Sequence, residues 1–447
     1  MAGGAVAVAP VSTTDALMSF IDPRRWLETA GGRTIPILVA MAVIWIYFEI
    51  ATHGLFFTPG NVTNILTVAS LYGIVAIGEV VVLLLGEIDL SLGSLVGASG
   101  CAACAAMVEP MNWNILGVSI HLGFIQGAAP VPQMLMGAGV AILFGVVAGT
   151  VLGFAVAYLH IPSFVVTLSG LLGFYGLALV ITNAQTIPVT NQYYESLGSS
   201  GTEFNHGYLP TILGSGTDFF HLSIGMIIAA VGGLLYTLTL VSGDVAKRRQ
   251  GLSGRSASWP IAQGLILTLV AVAICWSLDR DQGVQLPFLV FVAFLVVFSY
   301  LAKRTSFGRH IYATGGNAEA ARRAGIAIRR VRMSAFIISG FCAGTVGVLF
   351  FAYFGSANGG EPDPSFLLLC IASAVIGGTS LFGGRGSIWA ALTGAVMLSS
   401  VQTGMGLTLA SNTNGEYYEW IVQALILFAA VWLDTSIRRR STVGRRT

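Results

Sequence analysis

The stretch Lys303–Arg332 reads KRTSFGRHIYATGGNAEAARRAGIAIRRVR and lies between long apolar runs. Eight of the 22 Lys and Arg residues of the chain fall within it. Near its centre, Asn317 is placed to cap the start of a helix, and Gly325 suits a left-handed helix end. The pattern predicts a helix of about seven residues, roughly 10 Å long, in a polar loop between membrane spans.

The charges of this short helix match its dipole. Glu319 falls in the first turn, Arg322 and Arg323 fall in the last, and Glu319 lies four residues before Arg323. We interpret the helix as a plug for a cleft in another protein. The alternative is an ordinary solvated basic loop. The residues expected to make the contact are Asn317, Glu319, Ala320, Ala321, Arg322, Arg323, Gly325 and Ile326.

Composition indicates a membrane protein. Hydrophobic residues make up 55% of the chain and charged residues 9%, and the mean hydropathy is +0.80, whereas an average soluble domain is about 25% charged. Twelve apolar runs have roughly the length that a bilayer requires. We therefore predict an all-α polytopic protein with about twelve transmembrane helices. The runs are 34–57, 64–86, 88–108, 136–159, 163–182, 222–242, 261–278, 287–302, 333–354, 365–383, 388–409 and 419–433.

The placement of basic residues predicts the orientation. With the N-terminus in the cytoplasm, every Lys and Arg except Arg280 falls on the inside, as the positive-inside rule requires. This gives a cytoplasmic tail (1–33), a transmembrane domain (34–435) with the cytoplasmic loop 303–332, and a basic cytoplasmic tail (436–447). The expected location is the inner membrane of a bacterium.

Two apolar runs are interrupted by glycine-rich stretches. Gly86–Ser94 and Gly377–Ser387 have the same order of residue types: glycine comes first, a short polar residue and leucine follow, and glycine and serine come last. Matched breaks in two halves of a transporter point to its transport site, although chance similarity is an alternative. The candidates for a translocation path are Glu79, Asp89, Ser91, Phe174, Tyr175, Asn183, Thr379 and Ser380.

Carboxyl groups fall within the first predicted spans and at the break between them, where Glu87 lies beside Asp89. Glu49 and Glu79 lie deep in the first two runs, and Asp89 lies at the first break. A carboxylate at the bilayer centre costs about 2.5–3.5 kcal/mol on insertion scales, so each is expected to face protein or a wet path. A pathway or hydrogen-bonding role is favoured for Glu79 over a proton relay. Asp89 has the alternative role of capping the next helix.

Small residues in the spans are interpreted as packing residues. Gly145, Gly149 and Gly153 follow one another at intervals of four, as do Gly340 and Gly344, and such spacing lets helices approach closely in lipid. The five cysteines fall in apolar runs, and the pair at 101 and 104 is read in the same way. The sequence contains no P-loop motif and no metal-spaced set of His and Cys. An enzyme is therefore not predicted, and no cofactor is expected in this chain.

The polar loop carries a family resemblance. Glu319-Ala320-Ala321 followed by Gly325-Ile326 resembles the EAA signature of ABC importer permeases. Together with the two glycine-rich breaks, the loop is similar to that of the monosaccharide branch, which includes ribose, xylose and galactose permeases. The additional pair of spans around 222–278 is typical of the xylose type. The resemblance covers about residues 35–435.

This resemblance implies a permease subunit for a monosaccharide, with xylose the expected sugar. It also implies a homodimer, separate or fused ATPase subunits that bind ATP and Mg, and an external sugar-binding protein. In the family, the EAA helix docks into a cleft of the ATPase, which agrees with the plug interpretation. The rival class is an ion-coupled secondary transporter that uses Glu79 and Asp89.

Overall fold

The protein is described by a computed structural model. It covers residues 30–108, 112–115, 118–121, 125–198, 211–213, 222–249, 258–279, 284–409, 415, 417–426 and 428. The two predicted terminal tails lie almost wholly outside these ranges. The helices are α1 (Ala30–Ala51), α2 (Pro59–Leu83), α3 (Leu92–Met107), α4 (Pro130–Ala157), α5 (Ser163–Thr182), α6 (Gln192–Glu195), α7 (Ile224–Arg249), α8 (Ser258–Asp279), α9 (Leu286–Arg304), α10 (Ser306–Gly316), α11 (Ala318–Arg323), α12 (Ile328–Phe354), α13 (Pro364–Ile376) and α14 (Trp389–Leu409).

Strands are short in the part of the chain that the structure describes. They form three two-stranded antiparallel ladders, with Asn112 opposite His121, Ile187 opposite Ala357, and Thr211 opposite Ser223. The strands are β1 (Asn112–Ile115), β2 (Val118–His121), β3 (Ile187–Pro188), β4 (Thr211–Leu213), β5 (Leu222–Ser223) and β6 (Ser356–Ala357). The β3–β6 ladder joins the loop after α5 to the loop after α12, at the end of the bundle away from α11.

The all-α membrane fold is confirmed. Each of the twelve predicted spans falls on helix, the last on residues 417–426. Seven of the described helices are long and apolar enough to cross a membrane, namely α2, α4, α5, α7, α8, α9 and α12. The count of twelve spans stays a prediction, because the other five runs, which include the shorter α3, α13 and the apolar part of α1, are not among these seven helices. The middle of the bundle is formed by α2 and α12, whose apolar windows are 89% and 83% buried.

Glycine explains the tight packing of α4 against α12. A methyl group at Gly145 would overlap the carbonyl oxygen of Gly340, and one at Gly149 would overlap that of Phe336. Gly344 in turn lies 2.9 Å from where a Cβ of Gly145 would be. The two glycine motifs noted in the sequence therefore face each other, as close helix approach in lipid requires.

The carboxyl group of Glu49 lies elsewhere than predicted. Glu49 was expected deep in a span 34–57, but α1 ends at Ala51. The carboxylate accepts a hydrogen bond from the backbone N–H of Phe57 at 3.0 Å, so it stabilises the turn into α2. Hydropathy alone missed this turn because Leu55, Phe56 and Phe57 continue the apolar run after α1 has ended.

Candidate functional site

The short helix α11 is capped at both ends, as predicted, and is six residues long. The Oδ1 of Asn317 accepts a hydrogen bond from Ala320 N–H at 2.9 Å. Gly325 has a φ of +83°, which permits the left-handed end that glycine favours. Ile326 N–H then donates to the carbonyl of Ala321 at 3.1 Å. Satisfied ends stabilise a helix that would be marginal alone.

The charged residues of α11 form one cluster on its surface. The Glu319 carboxylate accepts hydrogen bonds from Arg322 at 3.0 and 3.1 Å and from Arg323 at 3.1 Å. The hydrogen bonds from Arg322 lower the pKa of Glu319 most, and the one from Arg323 lowers it further. Glu319 therefore stays ionised. The arginine side chains are 71% and 79% exposed, so the cluster contributes little stability. It presents a fixed charge pattern to solvent instead.

The remaining surface of α11 is small and apolar. Ala320 and Ala324 are exposed, whereas Ala321 is buried at 4% exposure and anchors the helix. The exposed alanines give the helix a smooth surface that can enter a narrow cleft, and its long side chains are confined to the one charge cluster. This geometry agrees with the plug interpretation.

A second helix, α10, supports α11, and the sequence reasoning did not predict it. The Thr305 Oγ1 caps its start by accepting from Gly308 N–H at 3.3 Å. Ile311 is buried against the ends of α2 and α9. The Tyr312 hydroxyl donates to the carbonyl of Gly386 at 3.0 Å. The missed signal was the spacing of Phe307 and Ile311 on one helix face behind a threonine cap.

Directly before α11, three glycine-rich segments meet through backbone atoms. A methyl group at Gly315 would overlap the carbonyl oxygen of Leu84, which also accepts a hydrogen bond from Gly384 N–H at 2.8 Å. A Cβ at Gly384 would lie 2.8 Å from the Cα of Gly316, and Gly383 and Gly384 have φ values of +83° and +71°. We call this contact the glycine junction; it comprises Leu84, Gly86, Gly315, Gly316, Gly383 and Gly384.

The glycine junction brings together the two breaks noted in the sequence. Gly86 belongs to the α2–α3 break, and a Cβ at Gly383 in the α13–α14 break would lie 2.8 Å from Gly86 N. Whether the two stretches are an internal repeat stays a prediction. Their contact with each other and with the end of α10 places both breaks at the same end of the bundle as α11.

An ion pair forms a second link to the same end. The Arg332 Nε near the start of α12 lies 3.1 Å from the Glu87 Oε1 in the α2–α3 break. Their side chains are 30% and 15% exposed, so water screens this pair less than the cluster on α11. The pair ties the segment that follows α11 to the first break.

The buried carboxyl groups Glu79 and Asp89 lie together. The Asp89 carboxylate accepts hydrogen bonds from Ser91 N–H at 3.0 Å, Ser91 Oγ at 2.6 Å and Ser339 Oγ at 3.0 Å. Asp89 therefore forms a turn before α3, whose cap position is Ser91, and it joins α3 to α12. Glu79 Oε1 accepts from Asp89 N–H at 3.4 Å, while Oε2 is buried without a hydrogen-bond partner.

Glu79 lies closer to the end of its helix than predicted. It was expected deep in a span 64–86, and it is four residues from the end of α2 at Leu83. It is nevertheless 0% exposed, because α12 and the loop of the first break cover it. Burial comes from tertiary packing there and not from depth along the helix.

Of the other predicted path residues, Ser91 is hydrogen-bonded to Asp89, and the next three lie on or at the end of α5. Gly170 of α5 faces Ser91, because a Cβ added at Gly170 would lie 3.0 Å from the Cβ of Ser91. Phe174 follows Gly170 by one turn of α5. Tyr175 is 41% exposed. Asn183 is the left-handed cap that ends α5. Neither Tyr175 nor Asn183 forms a hydrogen bond with Glu79 or Asp89 among the described contacts.

Thr379 and Ser380 belong to the α13–α14 break. The Thr379 hydroxyl is buried without a hydrogen-bond partner. The Ser380 Oγ accepts from Phe382 N–H at 3.2 Å, and its own N–H donates to Arg385 O at 2.9 Å. Ser380 therefore shapes the turn that brings Gly383 into the glycine junction.

Cysteine and acidic side chains form no metal centre in the described part of the chain. No group of three or more potential ligands is found there. The five cysteines are free and buried, as expected of packing residues.

Comparison with known proteins identifies the class. Residues 61–431 match the family model described as the permease component of a branched-chain amino acid transport system. The chain belongs to this family of membrane permeases, so the expected resemblance to ABC importer permeases is confirmed.

Several similar relatives are named as sugar permeases. The chain is 32% identical to the xylose transport system permease protein of Escherichia coli strain K12, over 93% of this chain and 95% of the relative. It is 30% identical to the protein of the same name in Haemophilus influenzae, over 93% and 99%. Identity to the ribose import permease protein of E. coli K12 is 26% over 85% and 87%. No solved structure matches the chain significantly.

Proposed function

We propose that this chain is the permease subunit of an ATP-driven importer of a monosaccharide, and that the sugar is xylose. The two xylose permeases named above support the sugar, because they match the chain over almost its whole length. The working unit would contain two copies of this chain, ATPase subunits that bind ATP and Mg, and an external sugar-binding protein. Both termini would lie in the cytoplasm of a bacterium.

The observation that carries the coupling mechanism is the doubly capped helix α11. The exposed surface of α11 and its capping residues includes Ala320, Ala324 and the cluster around Glu319. We assign this surface to a cleft in the ATPase subunit. Arg322 and Arg323 would orient the helix in that cleft, and their hydrogen bonds to Glu319 keep the long side chains in a fixed position.

The glycine junction would pass the movement of the ATPases into the spans. Because Gly315 touches both Leu84 and Gly384 through backbone atoms, a displacement of α10 reaches both broken segments without an intervening flexible side chain. The ion pair between Arg332 and Glu87 adds a second connection. The spans would then alternate between outward-open and inward-open states.

ATP-dependent transport in a reconstituted complex tests the proposal. The permease, its ATPase and its binding protein are placed in proteoliposomes, and ATP hydrolysis and uptake of D-xylose are measured. We expect hydrolysis to rise with D-xylose and the binding protein. Reversing both charges with Arg322→Glu and Arg323→Glu should abolish this rise while the permease stays inserted.

The control is the exposed basic pair at the end of α9. Lys303→Glu with Arg304→Glu makes the same change of charge outside α11 and should retain stimulated hydrolysis. Stimulation that survives charge reversal in α11 would contradict docking through this helix. Absence of ATP-dependent uptake in the unmodified complex would contradict the proposed function itself.

One observation supports a second candidate, an ion-coupled transporter. Glu79 Oε2 is buried without a hydrogen-bond partner, and an isolated buried carboxylate is costly, so Glu79 would carry a proton that transport could exchange. Uptake that collapses with an uncoupler at constant ATP concentration would favour this candidate. Uptake that continues would favour the ATP-driven importer.

A further inference from the structure

A groove lies between α13 and the helical residues 417–426, at the end of the bundle away from α11. Its volume is about 470 Å³, within the usual range of roughly 300–1,000 Å³ for small-molecule sites. The lining residues are Asp363, Ser365, Leu368, Leu369, Ala372, Trp420, Gln423 and Ala424. None of them was among the path candidates from the sequence.

The polar groups of this groove are held in place. The Asp363 Oδ1 accepts from Ser365 N–H at 2.6 Å as the cap of α13, which leaves its second oxygen for a ligand. Gln423 is only 8% exposed, and its Nε2 donates to Glu419 Oε1 at 2.7 Å. A buried amide fixed at one end keeps its carbonyl oxygen in a defined position.

An aromatic ring completes the set. Trp420 lines the groove and is 43% exposed, and its ring packs edge-on against Tyr417 with centroids 6.0 Å apart. Trp combines a large apolar face with a polar N–H. No Lys or Arg is among the residues that line the groove, so nothing there would select an anion.

From these features we infer that the groove binds an uncharged monosaccharide before it enters the translocation path. The Trp420 face would stack on the C–H groups of the sugar ring, while Asp363 and Gln423 would accept hydrogen bonds from its hydroxyl groups. The inference rests on the proposed function, since it places a sugar site at the end where an external binding protein would release its load.

Protection of a cysteine in the groove tests this site directly. Ala424 is exposed and lines the groove, and the five native cysteines are buried. Ala424→Cys is introduced into the permease–ATPase complex in lipid nanodiscs, and its reaction with a small charged thiol reagent is timed with D-xylose or with L-xylose. The enantiomer controls for osmolarity and viscosity, and the unmodified complex gives the background.

We expect D-xylose to slow the reaction by the factor 1 + [sugar]/Kd, about tenfold at ten times Kd, and L-xylose to slow it less. Adding Trp420→Ala or Gln423→Ala should remove the protection. Trp389→Ala should not, because Trp389 is equally exposed at 44% but lies at the start of α14, at the opposite end of the bundle.

Three results would overturn the inference. The first is an equal reaction rate with the two enantiomers, and the second is protection that survives both groove substitutions. The third is a cysteine that reacts in detergent but not in nanodiscs, because lipid or a second copy would then cover the groove. ATP-dependent D-xylose uptake by the unmodified complex separates the two proposals. If uptake is present and protection is absent, only the groove assignment fails.

Discussion

Substituting Gly315 by alanine tests the glycine junction with a single methyl group. The added Cβ would overlap the Leu84 carbonyl oxygen and lie 2.8 Å from Gly384 N. Both atoms belong to the backbone, so no side chain can rotate away. Restoring an ordinary separation of about 3.5 Å requires the end of α10 to move away from both broken segments.

The expected size follows from overpacking and from one hydrogen bond. Forcing a methyl group into a packed contact costs about 1–3 kcal/mol. The bond from Gly384 N–H to Leu84 O, now 2.8 Å, would lengthen, and such a bond is worth about 0.5–1.5 kcal/mol. If the junction is intact in only one transport state, the overpacking penalty of about 1–3 kcal/mol alone shifts the equilibrium between the states about 5–150-fold, and the weakened hydrogen bond adds to this shift.

The assay is ATP hydrolysis by the reconstituted complex with and without D-xylose and binding protein. We expect Gly315→Ala to keep basal hydrolysis and to lower the stimulated rate at least about fivefold. Gly316→Ala is the matched control, because a Cβ at Gly316 meets nothing within 4 Å. Equal stimulation in the two variants would refute the role of the junction in coupling.

Three further predictions concern the contacts around α11 and inside the bundle. Asn317→Ala removes the cap of α11 and should cost about 1 kcal/mol of helix stability, seen as weaker capture of the ATPase in pull-down experiments, whereas Asn317→Asp should retain capture. Glu87→Gln leaves Arg332 without its partner and should lower the melting temperature in detergent. Exchanging the two charges with Glu87→Arg and Arg332→Glu should recover part of the loss. An unchanged melting temperature of Glu87→Gln would contradict a stabilising role of this ion pair. Gly145→Ala overpacks the α4–α12 contact and should destabilise the protein by about 1–3 kcal/mol, while Gly139→Ala on the same helix faces open space and should leave the melting temperature unchanged.

Local interactions made α11 predictable from the sequence. Its cap at Asn317, its charge order and its end at Gly325 depend on residues fewer than ten positions apart, and all three are confirmed. The helical spans were recognisable for a similar reason, since length and hydropathy decide them. Their ends were not, because capping turns such as the one at Glu49 occur within continuous apolar runs.

The glycine junction and the groove could not be derived in this way. Gly315 contacts Leu84 and Gly384, which are distant in the chain, and no local pattern specifies that contact. The sequence identified both breaks as unusual but not that they touch. Trp420 and Asp363 likewise come to line the same groove only through the packing of the last helices. In the sequence, each of them indicates no more than a residue at the membrane surface.

Capture of the ATPase from α11 tests the central claim most directly. Ala320 is exposed in the middle of α11, so Ala320→Cys can carry a short photoactivatable cross-linker in membranes that contain the ATPase. The account predicts one cross-linked product that contains the ATPase and whose yield changes when ATP is added. If no cross-link to the ATPase forms although the ATPase is present in the same membranes, α11 is not the coupling helix.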